Sequence, residues 1–437
     1  MADLHVDAAG SNTAPYDTWA KAATTLATAL GAESAGDRVL MGSAYSQTTA
    51  GLTISLAGTL TSPVQLLSGT KDTTSGITAV TSGAVVASSS ALTVNGSGYI
   101  YGVSWQLTAS GSSQMTFGAS SGETQIYESC EFIITGAGGS SFINFGITAS
   151  GSGVVGKVTL KNCAAKLGAA GQFLSPAGSV LVQNMTWLSG GTAPTRIFET
   201  YASNRTLDFV VEGADFTNVG TATNLFGDIT TGAKVVFRDV LLPSAWTGEP
   251  ITDANVATGA RVELWNYRVG ASTWNRFWLK DGQATMKAET TLVRTGGSSD
   301  ADGGYSIKMV TTANCAWPLT VARSMDLIVN NSTTGSSITV TVEILRDSAT
   351  NLTDRDVWLE VEEPDGTITT DACASVIASA ADQTTSSETW TTTGMTNPNK
   401  QKLAVTINAS KAGPLLCRVM CAKPSTTLYI CGKPAVA

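Results

Sequence analysis

The chain has one histidine, only 14% charged residues and no run of basic side chains across 437 positions. A formal net charge of −8 and a sequence pI near 4.8 argue against a nucleic-acid partner, because phosphate binding needs clustered Lys and Arg. Cysteine is sparse as well: seven residues, an odd number, at 130, 163, 315, 373, 417, 421 and 431, with no CxxC pair. That spacing offers neither a zinc site nor a complete disulfide framework, so free thiols in a reducing cytosol are expected. No stretch approaches the ~20 apolar residues that span a bilayer. The opening MADLHVDAAG also lacks the basic and apolar regions of a secretory signal, so a chain made without an export address and without membrane insertion is expected.

What remains is 43% hydrophobic residues, 44 glycines and abundant Ser and Thr. This is the composition of an all-β protein with a packed core and many short strands. Near the start the pattern differs. Leu4 to Val6 reads as a short strand, and Asp17 is placed to cap a helix. Trp19, Ala22, Ala23, Leu26, Ala29 and Leu30 follow at helical spacing before Gly31. Leu52, Ile54 and Leu56 then alternate, which is strand spacing.

The segments LHVDAAGSNTAPYDTWAKAATTLATAL, AGDRVLMGSAYSQ and GTLTSPVQLLSG resemble the opening of pectate-lyase-like β-helix proteins over roughly the first seventy residues. The resemblance implies a right-handed parallel β-helix whose N-terminal capping α-helix plugs the open first coil. An unpaired terminal coil would otherwise expose its core and its strand edge.

Seven copies of an alternating apolar segment with a polar turn start at residues 98, 125, 158, 180, 209, 235 and 262. Their mean period of about 27 residues lies within the solenoid range. A second strand precedes several copies, at Phe142–Phe145, Gln172–Leu174, Arg196–Phe198 and Asn224–Phe226. Stacking aligns Lys161, Gln183, Glu212, Arg238 and Trp265 in one column, and Asn162, Asn184, Gly213, Asp239 and Asn266 in the next. The second column is rich in residues that tolerate the left-handed region and resembles the asparagine ladder of the family.

The repeat stops near residue 270. Trp274, Phe277 and Trp278 read first as a seal on the last coil, with glycan binding by Trp274 and Trp278 as the alternative. From 286 onward, period-2 segments predict an antiparallel β-sandwich. The order GGYSIKM, SSITVTVEILRD and DVWLEVEEPDG resembles jelly-roll modules of carbohydrate-active and phage appendage proteins. Asp300-Ala301-Asp302-Gly303 reads as a solvated turn in preference to a calcium loop. The expected division is therefore 1–35 strand and capping helix, 36–270 β-helix, 271–285 junction and 286–437 sandwich.

Polysaccharide lyases and hydrolases on this fold need an acid and a base on the coil surface. Arg196, Glu199, Arg205, Asp208, Glu212, Asp215, Asp228, Arg238 and Asp239 lie in neighbouring coils. Of these, Glu199, Asp208, Glu212, Asp215 and Asp239 are the candidate catalytic carboxylates. Glu212 beside Arg238 reads more simply as an ion pair between coils, and the hydrolase signatures of the family are absent. No metal and no cofactor is expected.

Resemblance and exclusion together imply a bacteriophage virion protein, assembled in the host cytoplasm and non-enzymatic in preference to enzymatic. It would be a homotrimeric appendage or capsid decoration that meets other virion proteins and host surface polysaccharide. A tailspike-like depolymerase is the runner-up, and an adhesive bacterial surface protein stands third.

Overall fold

The computed structural model describes residues 1–118, 122–146, 156–200, 207–222, 224–246, 250–252, 255–257, 260–270, 276–281, 284–289, 306–311, 327–331, 337–346, 357–363, 367–370, 401–408, 413–421 and 427–436. It divides into two compact units. Unit 1 takes Met1–Ala260 and Trp265–Asn275; unit 2 takes Arg261–Leu264 and Arg276–Ala437.

Unit 1 is a parallel β-helix with three sheets. Sheet I stacks Asp3–Val6, Arg38–Gly42, Val64–Lys71, Gly98–Tyr101, Thr124–Glu128, Lys157–Lys161, Gly178–Gln183, Leu207–Glu212 and Lys234–Arg238, each parallel to the next. The strand Arg261–Val269 follows on sheet I. All seven repeat segments therefore share one sheet. The second strands predicted for four coils form sheet III, which also takes Leu52–Ser55, Leu92–Asn95 and Gln114–Phe117. Sheet II is built from the short strands that follow each polar turn, such as Val103–Leu107 and Glu131–Ile134.

Alternation within the strands sends one set of side chains into the common interior. Phe117, Tyr127, Phe132 and Phe145 meet there from all three sheets, with ring centroids 5.0 to 5.7 Å apart. A second cluster further along holds Phe198, Phe209, Phe216, Phe226 and Phe237. Each fully buried ring of this size contributes on the order of 1.5 to 3 kcal/mol of transfer free energy.

The plug at the start is shorter as a helix than its periodicity suggests. Trp19–Lys21 is a single 3-10 turn capped by Thr18, and only Leu26–Leu30 is α-helical, capped by Thr25. Between them the chain is extended, because Ala23 bridges the free edge of the first strand. Its N–H donates to His5 O at 2.9 Å, and its carbonyl accepts from Asp7 N at 2.9 Å. Satisfying that edge outweighs continuing the helix through the β-branched pair Thr24-Thr25.

A hairpin of Val64–Lys71 and Ile77–Val80 latches this plug. Trp19 Nε1 donates to Gly76 O at 2.8 Å, and His5 Nε2 lies 2.6 Å from Ser75 O. Lys71 pairs with Asp7 and sits 5.5 Å from the centre of the Trp19 ring. His5 is thus a buried fastening, edge-on to Trp19 at 4.6 Å.

Cys130 and Cys163 occupy equivalent places in successive coils, just before the paired residues Glu131 and Ala164. Both are buried, and their thiols donate to the carbonyls of Ile100 and Tyr127. Burial pushes the Cys163 thiol up to about 12 and the Cys130 thiol well above its ordinary value. Thiolate is the reactive form, so neither should react with an aromatic disulfide reagent at pH 8 until the coils are unfolded. Quantitative labelling of both in the native protein, read by mass spectrometry of peptides, would contradict this burial.

Unit 2 has two antiparallel sheets of a β-sandwich. One runs Arg276–Asp281, Ala284–Glu289, Ser306–Thr311, Thr427–Val436, Ser337–Arg346 and Gln401–Asn408. The other runs Leu327–Asn331, Gly413–Cys421, Val357–Glu362 and Ile368–Thr370. Val340, Ile407, Leu359, Val361, Leu415 and Cys417 are buried. The Asp300–Gly303 turn lies outside the described residues. No helix among the described residues is long and apolar enough to cross a membrane.

Candidate functional site

The six coils whose sheet I strands run from Gly98–Tyr101 to Lys234–Arg238 each leave that sheet through one residue in the left-handed region. These are Gly102, Ser129, Asn162, Asn184, Gly213 and Asp239, with φ between 50° and 72°. The backbone must turn sharply here without breaking the stack, which explains the Asn, Asp, Ser and Gly of this column. Successive N–H groups bond to the coil ahead: Asn162 N to Gln183 O and Asn184 N to Glu212 O, both at 2.8 Å. Asn184 Nδ2 donates to Asn162 Oδ1 at 3.1 Å, one rung of an amide ladder. At Gly213 a Cβ would lie 2.5 Å from Asn184 Oδ1, so glycine leaves room for the rung below.

Outside this turn lies an open polar cleft of about 340 Å³, lined by Lys161, Asn162, Gln183, Asn184, Glu212, Gly213 and Asp239. Glu212 is engaged on both oxygens. Arg238 Nη1 is 2.9 Å from Oε1, and Gln183 Nε2 donates to Oε2 at 3.4 Å. Both partners of the ion pair are substantially exposed, so it contributes at most about 1 kcal/mol. Its effect on the cleft is to hold the carboxylate as an oriented acceptor beside three side-chain amides. Among the described residues none that lines the cleft is aromatic.

The candidate carboxylates do not converge. Glu212 and Asp239 share the cleft. Asp208 lies four residues before Glu212 on the same strand, about 13 Å away at strand rise, opposite Ser179 and Lys234. Asp215 belongs to sheet II, bridging Thr186 and Leu241, and its Oδ1 accepts from Thr217 N at 2.9 Å and Thr217 Oγ1 at 2.6 Å. Glu199 follows the sheet III strand Arg196–Phe198 and pairs with Arg196. Arg196 lies over the Phe173 ring at 4.6 Å, and burial holds its guanidinium below the ordinary arginine range. Five acids close in sequence are thereby distributed over three sheets and their turns.

Arg205 and Trp274 lie outside the described residues, and Trp278 is described only through its strand backbone. Among the described residues no three His, Cys, Asp or Glu side chains are grouped as metal ligands. Asn162 and Asn184 of the turn column and Gln183 of the column before it line the wall of this cleft; their shared polarity in successive repeats is the signal the sequence offers.

No family model matches the chain, and no curated protein matches it. Among solved structures it is similar to the crystal structure of the enzymatically active domain of the bacteriophage CBA120 tailspike protein 4. That likeness has a TM-score of 0.20 at 9% sequence identity and covers 92% of this chain and 64% of the other. This chain thus spans a little under two thirds of that domain.

Proposed function

We propose that this chain is a bacteriophage virion protein, an appendage built on a pectate-lyase-like β-helix, which holds a hydroxyl-rich host surface glycan without cleaving it. The observation that carries this reading is the cleft. Side-chain amides of Asn162, Gln183 and Asn184 and an oriented Glu212 carboxylate present alternating donors and acceptors along the coil axis. Such groups recognise hydroxyls and fix their orientation. Glu212 is occupied by Arg238 and Gln183, and the remaining acids except Asp239 point elsewhere, which favours holding over hydrolysis. The virion assignment is supported by the resemblance of the opening segment together with the exclusions drawn from composition.

Two measurements test it. Mass spectrometry of purified particles should find the chain in the virion, and its absence there removes the assignment. Titration calorimetry with host surface polysaccharide should give saturable binding, weakened about tenfold by Asn184→Gly, which keeps the left-handed turn and loses one or two hydrogen bonds at about 1 kcal/mol each. No new reducing ends should accumulate. Their release, lost in Glu212→Ala, would replace this reading with a depolymerase acting through Glu212 and Asp239.

A further inference from the structure

The outer face of sheet I carries a pattern of charge that belongs to no single coil. Five successive strands, Thr124–Glu128, Lys157–Lys161, Gly178–Gln183, Leu207–Glu212 and Lys234–Arg238, are in register. Three columns of side chains point outward from them. The middle column is Ile126, Thr159, Leu181, Val210 and Val236, the first four half-exposed. The flanking columns are Thr124, Lys157, Ser179, Asp208, Lys234 on one side and Glu128, Lys161, Gln183, Glu212, Arg238 on the other.

Both flanks of a given coil have the same sign wherever both are charged. Along the axis the bands read negative, positive, neutral, negative, positive, with the neutral coil Ser179–Gln183 at the centre. A two-fold axis parallel to the stack would set each band against itself, Lys157 against Lys161 and Asp208 against Glu212, which is repulsive throughout. A two-fold axis along the central strand instead reverses the order of the coils. Lys157 then faces Asp208 of a second copy, Lys161 faces Glu212, and Arg238 faces Glu128. The apolar column pairs Ile126 with Val236, Thr159 with Val210, and Leu181 with its own symmetry mate.

We propose that this face binds a second copy of the chain, antiparallel, about a two-fold axis through Leu181. The interface is isologous, so every favourable pair occurs twice. Five coils at about 4.8 Å and strands of about 16 Å give roughly 400 Å² per copy, about half the ~800 Å² of a standard interface. The association is therefore weak, with a dissociation constant on the order of tens of micromolar, and strengthens at low salt. It does not rest on the functional reading above. It would cover the cleft wall at Lys161, Gln183 and Glu212, so glycan binding is to be measured on dilute protein.

Sedimentation equilibrium of the full chain at low ionic strength tests the pairing, from about 10 to about 500 μM, on either side of the expected constant. The expected result is a monomer–dimer equilibrium. Lys157→Asp and Asp208→Lys should each weaken it about tenfold, by placing like charges opposite one another. The double swap should return it to within about threefold of the parent, since both pairs are then reversed in sign. Leu181→Asp should abolish it, and circular dichroism identical to the parent shows that these exposed changes leave the coils folded. A monomer throughout the range, a trimer by mass, a double swap no better than the single changes, or a dimer indifferent to Leu181→Asp overturns the proposal.

Discussion

Replacing Phe198 with alanine is expected to lower the unfolding free energy of the β-helix by about 4 kcal/mol, the middle of the range for a buried ring. Phe198 is 1% exposed and touches four other phenylalanines, with centroids at 5.0 Å to Phe209, 5.8 Å to Phe237, 5.9 Å to Phe216 and 6.1 Å to Phe226. These rings come from sheets I and III and from the turn that follows the Asp215 bridge, in successive coils. The surrounding backbone is fixed by parallel pairing on both sides, Leu174 below and Phe226 above, so the cavity cannot close by collapse. Phe198→Leu, which keeps most of the volume, should lose less than half as much. Equilibrium urea unfolding followed by far-UV circular dichroism reads both values. A loss under about 1 kcal/mol for the alanine variant would mean that the cluster does not tie the coils together.

The second large effect is expected at Glu33, in the turn after the plug helix. Its Oε1 accepts from Ala57 N at 2.7 Å, whereas Oε2 is buried without a partner. Burial raises its carboxyl to about 7, assisted by the nearby negative charge of Asp37 and opposed by the Ala57 hydrogen bond. In the unfolded chain the group titrates near its ordinary value of about 4.3. The folded value is the higher one, so the stability that this group contributes is fully present below about pH 4.3 and is lost as the pH rises through about 7. Allowing for its partial exposure, the change is about 2 kcal/mol. Glu33→Gln keeps the acceptor for Ala57 and removes the titration. Its stability should exceed the parent's by about that amount at pH 8 and match it near pH 4. Thermal unfolding of both proteins across this range measures the difference. A constant offset between the two curves would place the titration elsewhere.

Much of the architecture could be read from the residues because a solenoid writes its core into a period. The segments from Gly98 to Val262 carry alternating apolar residues and a polar turn, and each lands on sheet I. The coils at Arg38–Gly42 and Val64–Lys71 belong to the same sheet but escaped the repeat, since no Asn or Asp turn follows them and the latch hairpin interrupts their spacing. The helix was overextended because periodicity cannot register that Ala23 is needed by a strand edge. The carboxylates show the sharper limit. Glu199, Asp208, Glu212 and Asp215 are neighbours along the chain, yet they fall on sheet III, on the two ends of one sheet I strand and on sheet II, and which sheet each reaches depends on turn lengths that hydrophobic pattern does not record. The cleft was legible only as two columns of equivalent positions, which define its wall but not its concavity.

The bridge between Ala23 and the first strand also bears on how the chain avoids growing into fibres. A parallel stack of coils is an open template at its first strand, and the row of amides there would accept a strand from another molecule as readily as from its own. In this chain the Asp7 N–H and the His5 carbonyl are already taken by the backbone of residue 23, and Leu26 and Leu30 are buried in the plug. Addition of a further strand to this edge of sheet I is thus opposed by main-chain atoms, which a change of side chain alone would not remove.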